Sequence, residues 1–175
     1  MSGRLEPRFA GTALSVTIWT LCAFTCCITV ADSPEFRDRL HDDHSNVTIG
    51  ISSGYVRIEG ENAFGAHVDV LRRLADQGIG RYLSTGISAG TIHNHDHYTL
   101  MAPVLLHAGK GLELSIAPGI EWEKHGREWE RHFATQLSAA YVVERGPVEI
   151  GPALGLSKSP EGTHYALNLH CSFHL

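Results

Sequence analysis

Between residues 112 and 123 the chain alternates without a fault. Leu112, Leu114, Ile116, Pro118, Ile120 and Trp122 are interleaved with Glu113, Ser115, Ala117, Gly119, Glu121 and Glu123. Successive side chains of a strand point to opposite faces, so this segment has one wholly apolar face and one small or acidic face. A helix would smear the two sets around its circumference. The pattern returns in residues 148–157, where Val148, Ile150, Pro152, Leu154 and Leu156 alternate with Glu149, Gly151, Ala153, Gly155 and Ser157. It returns again in 164–175, where Tyr165, Leu167, Leu169, Cys171, Phe173 and Leu175 alternate with His164, Ala166, Asn168, His170, Ser172 and His174.

Weaker alternation runs through 98–108 and 133–143, and 81–91 alternates with many small residues. Residues 47–58 are rich in glycine and β-branched side chains. Residues 63–75 read two ways. Phe64, Val68, Leu71 and Ala75 fit a helical stripe closed by Gly78, whereas Phe64, Ala66, Val68 and Val70 fit one face of a strand. Strands on both sides favour the second reading. Pro118 and Pro152 argue slightly against a regular sheet, since each removes a ladder donor.

The connections are Gly60–Asn62, 76–80, 93–96, 109–111, a charged loop at 124–132, a turn at 145–147 and a loop at 158–163. Short turns on the side where the chain ends, with longer charged loops opposite, are expected of a membrane barrel. About eight strands fill residues 47–175.

The amino terminus carries the parts of a secretory signal. Arg4 and Arg8 precede an uncharged run over 9–31, which ends in Thr29-Val30-Ala31 before Asp32-Ser33-Pro34-Glu35. Residues 1–31 are therefore expected to be a signal peptide and 32–46 a polar lead-in, with an uncleaved anchor as the rival. Cleavage removes Cys22, Cys26 and Cys27 and leaves Cys171, which makes neither an internal disulfide nor a cysteine zinc site.

Alternation fits a soluble barrel with its apolar face inside or a membrane barrel with that face in lipid. The signal segment, a last strand running to Leu175, and aromatics near strand ends (Trp122, Tyr141, Tyr165, Phe173) favour the membrane. The hairpin VERGPVEIGPALGLS and the closing strand HYALNLHCSFHL resemble those of small bacterial outer-membrane β-barrel proteins, the porin-like eight-stranded class. Leu175 stands where the usual terminal residue is aromatic. The resemblance implies an all-β, up-and-down antiparallel transmembrane barrel in the outer membrane of a Gram-negative bacterium. It implies lipid and the barrel assembly machinery as partners, the latter through the last strand, and it carries no catalytic residues.

By parity Glu113, Glu121, Glu123, Gln136, Glu144, Glu149, His164, Asn168, His170 and His174 point inward as a polar network. His93, His95 and His97, with Asp96, are candidate metal ligands, since alternate histidines on an extended segment project to one side. His170 and Ser172 would be the only candidates for a lipid-modifying outer-membrane enzyme. The charged residues 121–132 with Trp122 and Trp129 suggest a strand end and a surface loop able to contact an extracellular ligand. With 14 Lys and Arg against 19 Asp and Glu, the net charge of −5 gives no reason to expect nucleic acid. No phosphate loop, dinucleotide fingerprint or zinc-protease helix is present. The expectation is a non-enzymatic envelope, surface-contact or small-ligand role without a cofactor. A soluble periplasmic barrel binding an apolar ligand or a metal, and an outer-membrane lipid-modifying enzyme, are the alternatives.

Overall fold

The computed structural model describes residues 46–58, 60–93 and 95–175. The expected signal peptide, and the lead-in up to residue 45, lie outside the described residues. The strands are β1 (Val47–Ile58), β2 (Glu61–Arg73), β3 (Leu83–His93), β4 (His97–Met101), β5 (Val104–His107), β6 (Leu112–His125), β7 (Glu128–Tyr141), β8 (Val143–Arg145), β9 (Val148–Lys158) and β10 (Thr163–His174). A 3-10 turn, Gly78–Tyr82, precedes β3. Every pairing is antiparallel; β4 and β5 both lie between β3 and β6, β7 and β8 both pair with β9, and β1 pairs with β10 from Thr48↔His174 to Arg57↔Tyr165. That last pairing closes the sheet. Because β4 with β5, and β7 with β8, each make up one stave, the barrel has eight staves.

Prolines account for both interruptions. Residues 101 and 104 keep one register against β6 (Met101↔Gly119, Val104↔Ile116), so nothing slips between β4 and β5. Pro118 faces this gap, where its carbonyl accepts from the Ala102 amide at 2.8 Å but its ring nitrogen has no proton to return. Pro103 faces β3 in the same way, accepting from Gly86. The β7–β9 ladder lapses between Ala140↔Ala153 and Val143↔Ile150, the step that contains Pro152. The prolines thin the ladder and leave the barrel closed.

Residues 63–75 are strand, not helix. Val68 and Val70 are exposed on the outer wall while His67, Asp69 and Leu71 turn inward. The loop expected at 124–132 is corrected to strand. Lys124 pairs with Trp129 and His125 with Glu128, leaving a two-residue turn at 126–127 in which Gly126 takes φ 64°. A left-handed backbone of this kind is cheap only for glycine. The hydrophobic alternation stops near Trp122 because the strands continue past the lipid, where no apolar face is needed. The expected loop asymmetry is also reversed. The longest connection, 74–82, lies at the end where β1 begins and β10 finishes, and the opposite end has only short turns.

The outer wall is apolar. Leu112, Leu114, Ile116, Ile120, Ile87, Leu100, Phe133, Leu137, Leu154 and Leu167 are all exposed, while the residues between them are mostly buried or half-buried. Residues 112–122, ten steps of about 3.3 Å at a tilt of about 40°, climb roughly 25 Å, which matches a lipid-facing band of about 25 Å. Tyr98, Trp122 and Trp129 edge the band at the short-turn end and Tyr141 at the other, where amphipathic rings meet headgroups. Inside, Met101, Ala117 and Ala134 pack together, and Val56, Ile58 and Ile92 form an apolar cluster toward the short-turn end.

An arginine at position 116 would place a charge in hydrocarbon. Ile116→Arg is expected to destabilise the barrel by about 2–4 kcal/mol, read as a lower urea midpoint in lipid vesicles. The same change at Lys158, at a strand end, should leave the midpoint nearly unchanged.

Candidate functional site: the barrel interior

Because side chains alternate, the inner face collects what the apolar face excludes. The carboxylates Asp69, Glu113, Glu121, Glu123 and Glu149 turn inward together with His67, His97, His107, His132, His164, His170 and His174. Every described lysine and arginine is exposed. The interior therefore balances carboxylates with imidazoles instead of fixed cations. A buried carboxylate is tolerated only with partners that replace water.

Three tiers supply those partners. In the tier nearest the termini, Ser172 donates to Glu149 Oε2 at 3.0 Å, and His174 Nε2 lies 3.0 Å from the same oxygen. His174 Nδ1 is 3.1 Å from Thr48 Oγ1, so that imidazole is held from both sides. Across the lumen, His107 Nδ1 stands 3.1 Å from Glu113 Oε1, and its Nε2 is 3.2 Å from Ser84 Oγ.

In the middle tier Ser52 Oγ and His170 Nδ1 are 2.7 Å apart, and His67 Nε2 is 3.6 Å from Asp69 Oδ2. A side chain at Gly50 would press on both His170 and Asp69, so glycine here leaves the pair its space. Two cavities of about 60 and 70 Å³ adjoin where Gln136 and Asn168 line both. Each has room for a few water molecules.

In the third tier, toward the short turns, His97 Nε2 lies 3.6 Å from Glu121 Oε2 and His97 Nδ1 lies 4.0 Å from Glu123 Oε2. The His97 ring meets that of His164 edge-on at 5.3 Å. Beyond it, His132 Nε2 sits 3.3 Å from Glu161 and 3.5 Å from Glu130 at the rim.

Of the residues singled out in the sequence, Glu113, Glu121, Glu123 and His164 are buried on the inner face, and Glu149, Asn168 and His170 are half-buried there. Glu144 is exposed, because β8 lies at the barrel rim and its inner face opens to solvent. His93, His95 and His97 do not converge. Residues 95–96 form a turn in which Asp96 takes φ 45°, so the extended geometry that would align the three histidines is lost. His93 ends exposed and His97 fully buried. His170 and Ser172 likewise part company, one bonded to Ser52 and the other to Glu149. Sequence reading passed over His132 and Glu130, whose strand parity was hidden by taking them for a loop. It also passed over His67, Asp69 and His107, on weaker strands.

No protein-family model matches the sequence, and no curated protein matches it. Solved structures do. Neisserial surface protein A (NspA) superposes with a TM-score of 0.54 at 8% identity, over 75% of this chain and 98% of that one. Ail, the attachment invasion locus protein of Yersinia pestis, superposes with a TM-score of 0.46 at 12% identity, over 74% of this chain and 96% of that one. The fold is that of the small outer-membrane barrels. An apolar outer wall around a polar interior is stable in lipid and not in water, so the chain crosses a membrane by its strands.

Replacing Glu149 with leucine leaves the Ser172 hydroxyl and the His174 ring without their acceptor. Each orphaned group costs about 1–3 kcal/mol. Glu149→Leu should lower the urea midpoint clearly, whereas Glu149→Gln, which still accepts, should recover most of it.

Proposed function

We propose that this protein is a plugged, non-enzymatic barrel of the outer membrane with an envelope role, rather than a pore or a lipid-modifying enzyme. The observation that carries this reading is the filled lumen. An eight-stranded barrel is just wide enough for its own side chains, and here they interlock from Glu149 to His132 with only small cavities between. Two arrangements approach a nucleophile and base, Ser52 with His170 and the line Ser84–His107–Glu113, yet Ser52 and Ser84 are 1% and 4% exposed and face the lumen, away from the lipid-facing wall. The lipid around the wall is then the principal partner, and β10, with its unbroken alternation, is the segment offered to the barrel assembly machinery. The short turns at the far end favour contact through the strand ends rather than through long loops. There Lys124 stands over Trp129, 5.8 Å from the ring centroid, and Tyr98 lies 5.7 Å from Trp129 on the same wall.

Two measurements test this. In planar bilayers the purified protein should give no discrete conductance steps. Cells expressing it, or its Ser52→Ala or Ser84→Ala variant, should share one lipid A profile. Steady channels, or a lipid A change that either substitution abolishes, would overturn the reading.

A further inference from the structure

His97, Glu121 and His164 come from three staves, β4, β6 and β10, and their ligand atoms lie within 4.8 Å of one another. They are 1%, 0% and 6% exposed. A buried cluster of this kind has an ordinary explanation when each member is satisfied within the protein. Here it is not. The Ser159 hydroxyl is the donor beside Glu121, but it and both carboxylate oxygens fall outside hydrogen-bond geometry, and His97 Nδ1 has no hydrogen-bond partner. No lysine or arginine among the described residues enters the lumen to neutralise Glu121. A buried carboxylate with two open oxygens, faced by two imidazoles, lacks a cation.

We propose that this cluster binds a divalent transition-metal ion of the zinc class, held by His97 Nε2, a Glu121 carboxylate oxygen and a ring nitrogen of His164. Two imidazoles and a carboxylate suit zinc and its neighbours, and select against calcium and magnesium, which prefer all-oxygen shells. The spacing is already close. Ligands about 2.0–2.1 Å from a tetrahedral ion stand roughly 3.3–3.4 Å apart, and His97 Nε2 is 3.6 Å from Glu121 Oε2. With Nε2 turned to the ion, Nδ1 faces Glu123 Oε2 at 4.0 Å, beyond hydrogen-bond length, and a small shift of the ring would make that carboxylate the outer partner that fixes the tautomer of a ligating histidine. The fourth position is left to water from the adjoining 70 Å³ cavity, which His97 and His164 line.

The site has an approach. Glu121 is paired across β6 and β7 with His132, which meets Glu130 and Glu161 at the rim. This second group of potential ligands is more exposed and stands between solvent and the buried three, so an incoming ion finds carboxylate and imidazole before it finds Glu121. The bound ion would tie β10 to β4 and β6 across the lumen, beyond the plugged role proposed above.

The test uses the full chain without a histidine tag, isolated from outer membranes in detergent, stripped with chelator and titrated with cobalt(II). One equivalent per chain should give the visible bands of a four-coordinate ion, and zinc should displace them. Glu121→Gln, nearly isosteric, should weaken binding at least about 100-fold, and Glu123→Gln about 10–100-fold. Each variant is first checked for the gel shift of a folded barrel. His93→Ala and His95→Ala should leave affinity unchanged. Absence of binding by the folded wild type, binding that survives both Glu121→Gln and His164→Ala, or loss only on changing His93, His95 or Glu130 would each overturn the site.

Discussion

The structure depends on closing one ring of hydrogen bonds. Hydrocarbon offers no partner to an amide or carbonyl, so an open sheet edge in lipid would leave a row of unsatisfied groups, each costing several kcal/mol. The β1–β10 ladder removes that edge, and ten residue pairs from Thr48↔His174 to Arg57↔Tyr165 carry it. Once the ring is closed, each side chain has one of two destinations, lipid or lumen. Closure thus explains why alternation persists along every stave, and why Pro103, Pro118 and Pro152 are tolerated where a proton is missing on one side only.

The second consequence is chemical. A lumen as narrow as this one must be filled by the residues that the lipid face rejects. Many barrels could meet that demand with carboxylates paired to lysine or arginine. Here the described lysines and arginines are all exposed, at strand ends, turns and the outer wall with Arg73 at the rim, and the lumen pairs carboxylates with histidine. Imidazole is compact enough to be held between two partners, as His174 is between Glu149 and Thr48 and His107 between Glu113 and Ser84. It is also a metal ligand, which fixed cations are not. The third tier, where Glu121 has imidazole neighbours and a Ser159 hydroxyl that falls outside hydrogen-bond geometry, is where that difference has chemical consequence.

The two faces of the barrel were readable in the sequence because lipid imposes a residue-by-residue demand. Leu114 outside and Glu113 inside follow from parity alone. Where that demand ends, so does the signal. Residues 124–132 lie past the lipid, their alternation is lost among charges, and they resemble a loop although they form a tight hairpin. The histidines near residue 95 failed for a related reason, since a positive φ at Asp96 turns the chain and no local pattern announces it. The convergence of His97 with His164 is set by barrel closure and register, which are properties of the whole ring. The choice between strand and helix for residues 63–75 was likewise settled by pairing with β1 and β3, not by the segment's own periodicity.

The central claim is that the barrel is closed in lipid with its apolar wall outward. Electrophoresis of the outer-membrane fraction in SDS, with and without boiling, tests it most directly. A closed barrel should stay folded in the unheated sample and migrate differently from the boiled chain. A single unshifted band in the soluble periplasmic fraction would contradict the account, and would make the residues assigned here to lipid the core of a water-soluble protein.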